Sequence, residues 1–453
     1  MPLSSPTYFA FLAVVFFAFW LARRHPLGAL AVILCANYFF YARWDLIYLA
    51  LIPIASTCDF FIGQALGRIE HPLARRALIT LSIALNVGLI VSVKYSPRLP
   101  WILPLGLSFY AFQSLTYTLD IYRRDSQPTS SFLDYLASAS FFPTTLAGPI
   151  TRLPNLIPQW SKWQMLSAED GGRALFLIGL GLVKKLLIAD YLAENLINRV
   201  FDLPKLYSGT EMLAGVYGYA FQLYYDFSGY TDIALGSALL LGIKLPPNFN
   251  RPYISQNIAD FWRRWHISFS NWLRDYLYFS LPGLRSRWKI FAYLNLVVTM
   301  ALGGLWHGAS WTFLIWGVWH GCGLAAHRFW QVLRGKATPS AHVAAQFGRA
   351  LLTFHFVLIS WVFFRASNVG TARDIFAQIF SGTVSFGNIT PTFLIVLAIA
   401  ICAHFVPARL YESTLRFFIA APYYAQAGAM ALLLIAIQYV AGTGTAPFIY
   451  SRF

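Results

Sequence analysis

"GGLWHGASWTFLIWGVWHG", residues 303–321, writes Trp-His-Gly twice inside a run that is otherwise almost entirely apolar. The texture of that run extends over the whole chain, which is 58% hydrophobic and only 11% charged, with aromatics at 17%. At this composition 453 residues cannot close a soluble globule without exposing large apolar patches. Crossing ~30 Å of hydrocarbon takes roughly 20 helical residues. Apolar runs near that length recur, among them 7–22, 27–41, 46–66, 77–93, 174–191, 211–226, 229–243, 290–306, 309–326 and 426–442. Several are short or broken by Gly and Pro, which predicts about eleven spans plus re-entrant or interfacial pieces. The fold class is therefore an all-α polytopic membrane protein, with one membrane domain over 1–453.

A formal net charge of +16 would suggest nucleic acid in a soluble protein. In a membrane protein the positive-inside rule accounts for it, and no nucleic-acid partner is expected. Arg23-Arg24, Arg68 with Arg75-Arg76, and Arg123-Arg124 follow the first, third and fifth apolar segments, which places those loops in the cytoplasm and the N-terminus outside. Before Arg23 there is neither a basic leader region nor a small-residue cleavage site, so the first segment reads as a retained helix. Cys35, Cys58, Cys322 and Cys402 are scattered through apolar segments without C-x-x-C spacing, as inert thiols would be. The longest polar interval, 327–346, reads as a loop.

One stretch departs from this pattern, "NFNRPYISQNIADFWRRWHISFSNWLRDYLYFSLPGLRSRWK" at 248–289. It carries seven basic residues against Asp260 and Asp275, so it belongs on the cytoplasmic side. Its aromatic and charged residues interleave in a helix-like way, as in a piece that lies in the interface or dips into the bilayer. Two readings stand side by side: an anchor for anionic lipid, and a binding site for a phosphorylated donor. His266, set among Trp262, Trp265 and Phe269, favours chemistry over anchoring.

An ionisable residue in a membrane span is costly, and so is a functional candidate by default. His307, flanked by Gly303, Gly304 and Gly308, is the first such candidate, since glycines let a backbone or ligand approach closely. Trp306 beside it is a supporting residue. His320 lies thirteen positions on, which on a continuous helix turns it about 140° away from His307, so a supporting role is expected for it. A neutral imidazole can take a proton from a hydroxyl attacking a thioester. Acyl transfer from a coenzyme A thioester would use both features, with Arg263, Arg264 and Arg274 for the donor phosphates and the histidines at the reacting centre.

"RRWHISFSNWLRDYLYFSL" followed by "GGLWHG" resembles the signature of the membrane-bound O-acyltransferase family, especially its bacterial alginate O-acetyltransferase branch. "LPLGLSFYAFQSLTYTLDIYR" (103–123), "FFPTTLAGPITR" (141–152) and "YYDFSGYTDIALGSALLLGIKLPPNFNRPYIS" (224–255) fit it too, giving a motif core of about 101–330. The resemblance implies a helical ring with re-entrant and interfacial helices around a central funnel. It maps the family's catalytic His onto His307, and the upstream partner, Asn in many eukaryotic members, onto His266. It further implies transfer of an acetyl group from cytoplasmic acetyl-CoA, as co-substrate, across a bacterial inner membrane. A periplasmic acetyltransferase partner would complete O-acetylation of alginate, cellulose, another exopolysaccharide or peptidoglycan. No metal and no resident cofactor is expected; membrane lipids are.

Alternatives from other classes remain. A carrier protein could replace coenzyme A, as in teichoic acid D-alanylation, and the basic stretch between Leu281 and Phe291 would suit an acidic carrier. A transporter or flippase of an acylated lipid-linked saccharide would use Asp226 and Asp232. A haem held by His307 and His320 on one helix would need a second histidine pair. Asp226 and Asp232 sit in "YYDFSGYTDIALG", where Ser228 and Gly229 are expected to interrupt the helix. The carboxylates would then cap the break or pair with an arginine such as Arg152 or Arg251, direct acid–base work being the other reading.

Overall fold

The computed structural model describes residues 1–95, 106–145, 148–161, 165–282, 288, 290–335 and 342–440. All regular structure among them is helical. The described residues pack as two compact units, one drawn from 1–181, 230–246 and 418–426, the other from 182–229, 247–417 and 427–440.

In the first unit the helix starts are written by proline. Pro6 and Pro26 open Pro6–Ala22 and Pro26–Ala42, and Ser5 accepts the Tyr8 amide hydrogen at the first of them. Asp59 on Tyr48–Arg68 accepts from Ser82 (2.6 Å) and Asn86 (2.7 Å) on Pro72–Tyr95, and from Ser114 (2.7 Å) on Leu107–Arg123. One buried carboxylate thus ties three helices, its lone pairs met by neutral donors. Arg75 does the same at the helix ends. Its guanidinium donates to the Leu66 and Ile69 carbonyls and to those of Ile121 and Tyr122, closing the C-termini of two helices.

In the second unit the decisive element is a hairpin of Ile290–His307 and Trp311–Arg334. A methyl group at Gly304 would strike the Phe313 carbonyl, one at Gly317 the Met300 carbonyl, and one at Gly321 the Val297 backbone. Glycine at these three positions is what lets the two backbones touch. The chain reverses at Gly308–Ala309–Ser310, where the Ser310 hydroxyl accepts from the Thr312 amide at 3.3 Å as an N-cap. His307 and His320 therefore lie on separate helices, so the angular separation expected on one continuous helix does not apply, nor does a haem pair along one helix.

Two other expectations are corrected. Ser228 and Gly229 do not interrupt their helix: Gly209–Leu240 runs unbroken for 32 residues, a single Gly costing only about 1 kcal/mol in a helix. The 327–346 interval is not wholly loop, because Trp311–Arg334 continues through its first eight residues and the next helix, Val343–Arg365, begins before its end. Residues 336–341 between them, like most of the basic stretch after Leu281, lie outside the described residues. Four helices among the described residues are long and apolar enough to cross a membrane, or five if the bent pair Pro391–His404 and Ala408–Ala420 counts as one. Runs 7–22 and 27–41 form shorter apolar helices of 17 residues each.

Candidate active site

His307 is the last residue of its helix and is 3% exposed. Four aromatic rings stand around its imidazole: Trp306 at 4.6 Å between centroids, Phe364 at 5.0 Å, Trp316 at 5.1 Å and Phe313 at 6.0 Å. Phe269 joins it at 6.0 Å and also lies 5.1 Å from His266. Trp306 stacks on Phe269 at 4.5 Å and stands 6.5 Å from His266. The two histidines singled out in sequence thus share one aromatic shell, built on Phe269 and Trp306.

His266 joins two short helices, Ile258–Arg264 and Ile267–Trp272, with φ 42° and ψ 55°. Asn248 holds it there. The Asn248 carbonyl takes the Ile267 amide hydrogen (2.9 Å), and its side-chain oxygen accepts from the Ser268 amide (3.2 Å) and hydroxyl (2.8 Å). The Ser268 amide can only donate, which fixes that Asn248 atom as the oxygen. His266 Nδ1, 3.1 Å from the same oxygen, must therefore carry its proton, and Nε2 keeps the lone pair. Burial also disfavours the imidazolium form of His266. Asn248 lies in the motif "PPNFNRPYIS", but nothing in that motif shows that its amide fixes a tautomer eighteen residues on.

His320 has the opposite tautomer. Ser360 donates its single hydroxyl proton to the Val357 carbonyl at 2.6 Å, so its oxygen receives His320 Nε2–H at 2.8 Å. The ring is fully buried against Trp316 (5.0 Å) and Trp262 (5.1 Å). Trp316 touches both His320 and His307, so His320 packs behind the wall of the His307 shell.

Asp226 finds a cation outside the arginines expected for it. Lys185 Nζ lies 2.6 Å from Asp226 and 2.7 Å from Asp190, with its side chain 1% exposed. Lys185 sits in Val183–Ala189, wound with π-helical hydrogen bonds. Arg251, one of the two arginines expected as partners for Asp226 and Asp232, donates to the Val406 carbonyl at 3.2 Å.

The three arginines expected to meet donor phosphates are all paired. Arg263 and Arg264 share Asp260 at 3.5 and 3.1 Å, and Arg274 grips Asp275 at 2.7 and 3.1 Å. Arg263 and Arg274 stay largely exposed (68% and 53% for the side chains), so their carboxylate pairs are weak and exchangeable, whereas Arg264 is mostly covered. His404 has neither glycine nor charge beside it in sequence to single it out. Its Nε2 accepts the Tyr253 amide hydrogen at 3.1 Å and its ring packs on Tyr224 at 4.7 Å. That is a structural role for a buried histidine.

An acceptor nitrogen on His266 and a second imidazole on His307, in a buried, ring-lined shell, suit proton transfer at a hydroxyl or thiol. Comparison with known proteins gives the family. The sequence profile of the membrane-bound O-acyltransferase family matches residues 78–368. The chain is 39% identical to the "Probable alginate O-acetylase" of Azotobacter vinelandii over 77% of its own length and 72% of that protein's. It is 36% identical to the protein of the same description in Pseudomonas aeruginosa, over 90% and 82%. It is 35% identical to the "Peptidoglycan O-acetyltransferase" of Helicobacter pylori, over 81% and 79%. With both histidine motifs inside the matched region, the chain belongs to the membrane-bound O-acyltransferase family and is a multi-span membrane acyltransferase.

Proposed function

We propose that the protein takes an acetyl group from cytoplasmic acetyl-CoA and passes it across a bacterial inner membrane for O-acetylation of an extracytoplasmic polysaccharide, a periplasmic acetyltransferase completing the transfer. The observation that carries this reading is the shared shell of His266 and His307, the former held with Nε2 as proton acceptor. The relatives named for O-acetylation of alginate and of peptidoglycan support the acyl group and the acceptor class. In the reaction a hydroxyl oxygen bonds the thioester carbonyl carbon while an imidazole takes the hydroxyl proton. The C–S bond then breaks, and the proton passes to the departing thiolate, leaving an ester and free coenzyme A. His307 is the reacting base and His266 its partner. Trp306 and His320 shape the shell, and Asp226 supports it from the Lys185 cluster. Arg263, Arg264 and Arg274 exchange their carboxylate partners for the donor phosphates.

The test is transfer of labelled acetyl from acetyl-CoA by purified protein in proteoliposomes, with the periplasmic partner recovered by pull-down. His307→Ala is expected to abolish transfer while expression and membrane insertion stay at wild-type levels. Wild-type turnover in that variant overturns the assignment. A wild-type protein that moves a saccharide but never cleaves the thioester is a transporter instead.

A further inference from the structure

Away from the histidine shell, the second unit contains a cavity of about 700 Å³. One wall is a single face of Trp311–Arg334, formed by Gly323, Ala326, His327, Trp330, Gln331 and Arg334 at helical spacing. The facing wall is Arg349, Leu352, Thr353 and Phe356 of Val343–Arg365, and Gln256 to Ile258 form its floor.

The chemistry of the cavity is divided. At its polar end stand two guanidinium groups and no carboxylate among the described lining residues. Arg349 is oriented by Gln256, whose side-chain oxygen accepts from Nε at 3.1 Å and Nη2 at 2.9 Å. Arg334 lies over the Trp330 ring at 5.9 Å and meets no acidic partner among the described residues. The lips, by contrast, are apolar and open: the lining residues Trp330 and Leu352 are 56% and 74% exposed. In a membrane protein such side chains face hydrocarbon. A ligand that uses both halves carries a phosphate for the arginines and alkyl chains for the lips.

We propose that this cavity seats an anionic phospholipid from the leaflet on the basic side of the protein. The phosphodiester lies between Arg334 and Arg349, and the acyl chains run out over Trp330 and Leu352. Planar guanidinium groups suit the phosphate oxygens, and basic pockets between membrane helices are where anionic headgroups settle. A soluble phosphorylated molecule shares the phosphate chemistry but has no use for the lipid-facing lips.

The experiment uses the full chain in nanodiscs of phosphatidylcholine, with or without phosphatidylglycerol, reading Tm, retained lipid, and crosslinking by a photoactivatable phosphatidylglycerol. Phosphatidylglycerol is expected to raise Tm, to survive purification, and to crosslink to both cavity walls. Arg334→Gln and Arg349→Gln are each expected to weaken its binding by about tenfold. Arg349→Gln also loses its bond to Gln256, so Arg334→Glu, on an exposed side chain, is the variant that decides if Arg349→Gln fails to fold. Its Tm in pure phosphatidylcholine should equal that of wild type while the gain from phosphatidylglycerol disappears. A gain that is absent in wild type, or unchanged in Arg334→Glu, overturns the proposal. Displacement of the labelled lipid by free coenzyme A overturns it too, and makes the cavity a site for the soluble donor.

Discussion

At the scale of single residues, the sharpest finding is that one amide fixes the chemistry of one imidazole. Asn248 receives three hydrogen bonds on its side-chain oxygen, and the His266 tautomer follows from them. Asn248→Ala removes that acceptor without touching the reacting shell. It is expected to lower kcat by about ten- to a hundredfold, the range found when an outer-shell partner of a functional imidazole is removed, with KM for acetyl-CoA little changed. Asn248→Asp, which keeps an acceptor oxygen, is expected to recover part of the rate. Equal damage to kcat and to thermal stability in both variants would make Asn248 a packing residue only. His307 and His266 were legible in sequence because an ionisable side chain among glycine and tryptophan has few structural excuses in a membrane. Asn248 was not, since a hydrogen bond spanning eighteen positions leaves no periodicity to read.

At the scale of elements, the hairpin after Lys289 carries the site. Its two helices approach through Gly304, Gly317 and Gly321, where any Cβ meets backbone atoms. Gly317→Leu forces the helices apart and is expected to destabilise the protein by about 1–3 kcal/mol or more, and to abolish activity because Trp316 and His307 lose register. Thermal unfolding in detergent checks the first effect and labelled acetyl transfer the second; a fully active Gly317→Leu would show that the close approach is dispensable. The glycines were visible in sequence, and the separate apolar runs 290–306 and 309–326 already fell on either side of the break. What could not be read was the close backbone contact or the Ser310 cap that opens the second helix. The converse holds at Ser228 and Gly229, where packing overrides two weak helix formers and the expected break does not occur.

At the scale of the whole molecule, composition decided the class of fold, whereas the pairing of buried charges could not be read from it. Apolar content and basic loops are properties of the chain alone, so they survive into the structure. The union of Lys185 with Asp190 and Asp226 depends on which helix passes which, and no spacing in the sequence announces it. Lys185→Met leaves two buried carboxylates without the cation between them and is expected to cost about 3–5 kcal/mol. The Lys185→Met/Asp190→Asn/Asp226→Asn triple variant, which buries no net charge, should regain much of that loss. Tm values of the single and triple variants in one detergent compare the two. A triple variant no more stable than the single would mean that the cluster contributes by shape rather than by charge.

The backbone at His266 has a bearing on which residues that position can accept. With φ at 42° it lies in a region that costs most side chains roughly 1–2 kcal/mol and that Asn, Asp and His enter far more readily than the rest. The family resemblance implies Asn as the alternative to His at this place, and both residues tolerate the turn. The turn thus sets a steric requirement at this position beside any chemical one. Alanine passes neither test, so its loss of activity would mix a strained turn with a missing imidazole, whereas Asn in place of His266 changes the chemistry and leaves the turn at ease.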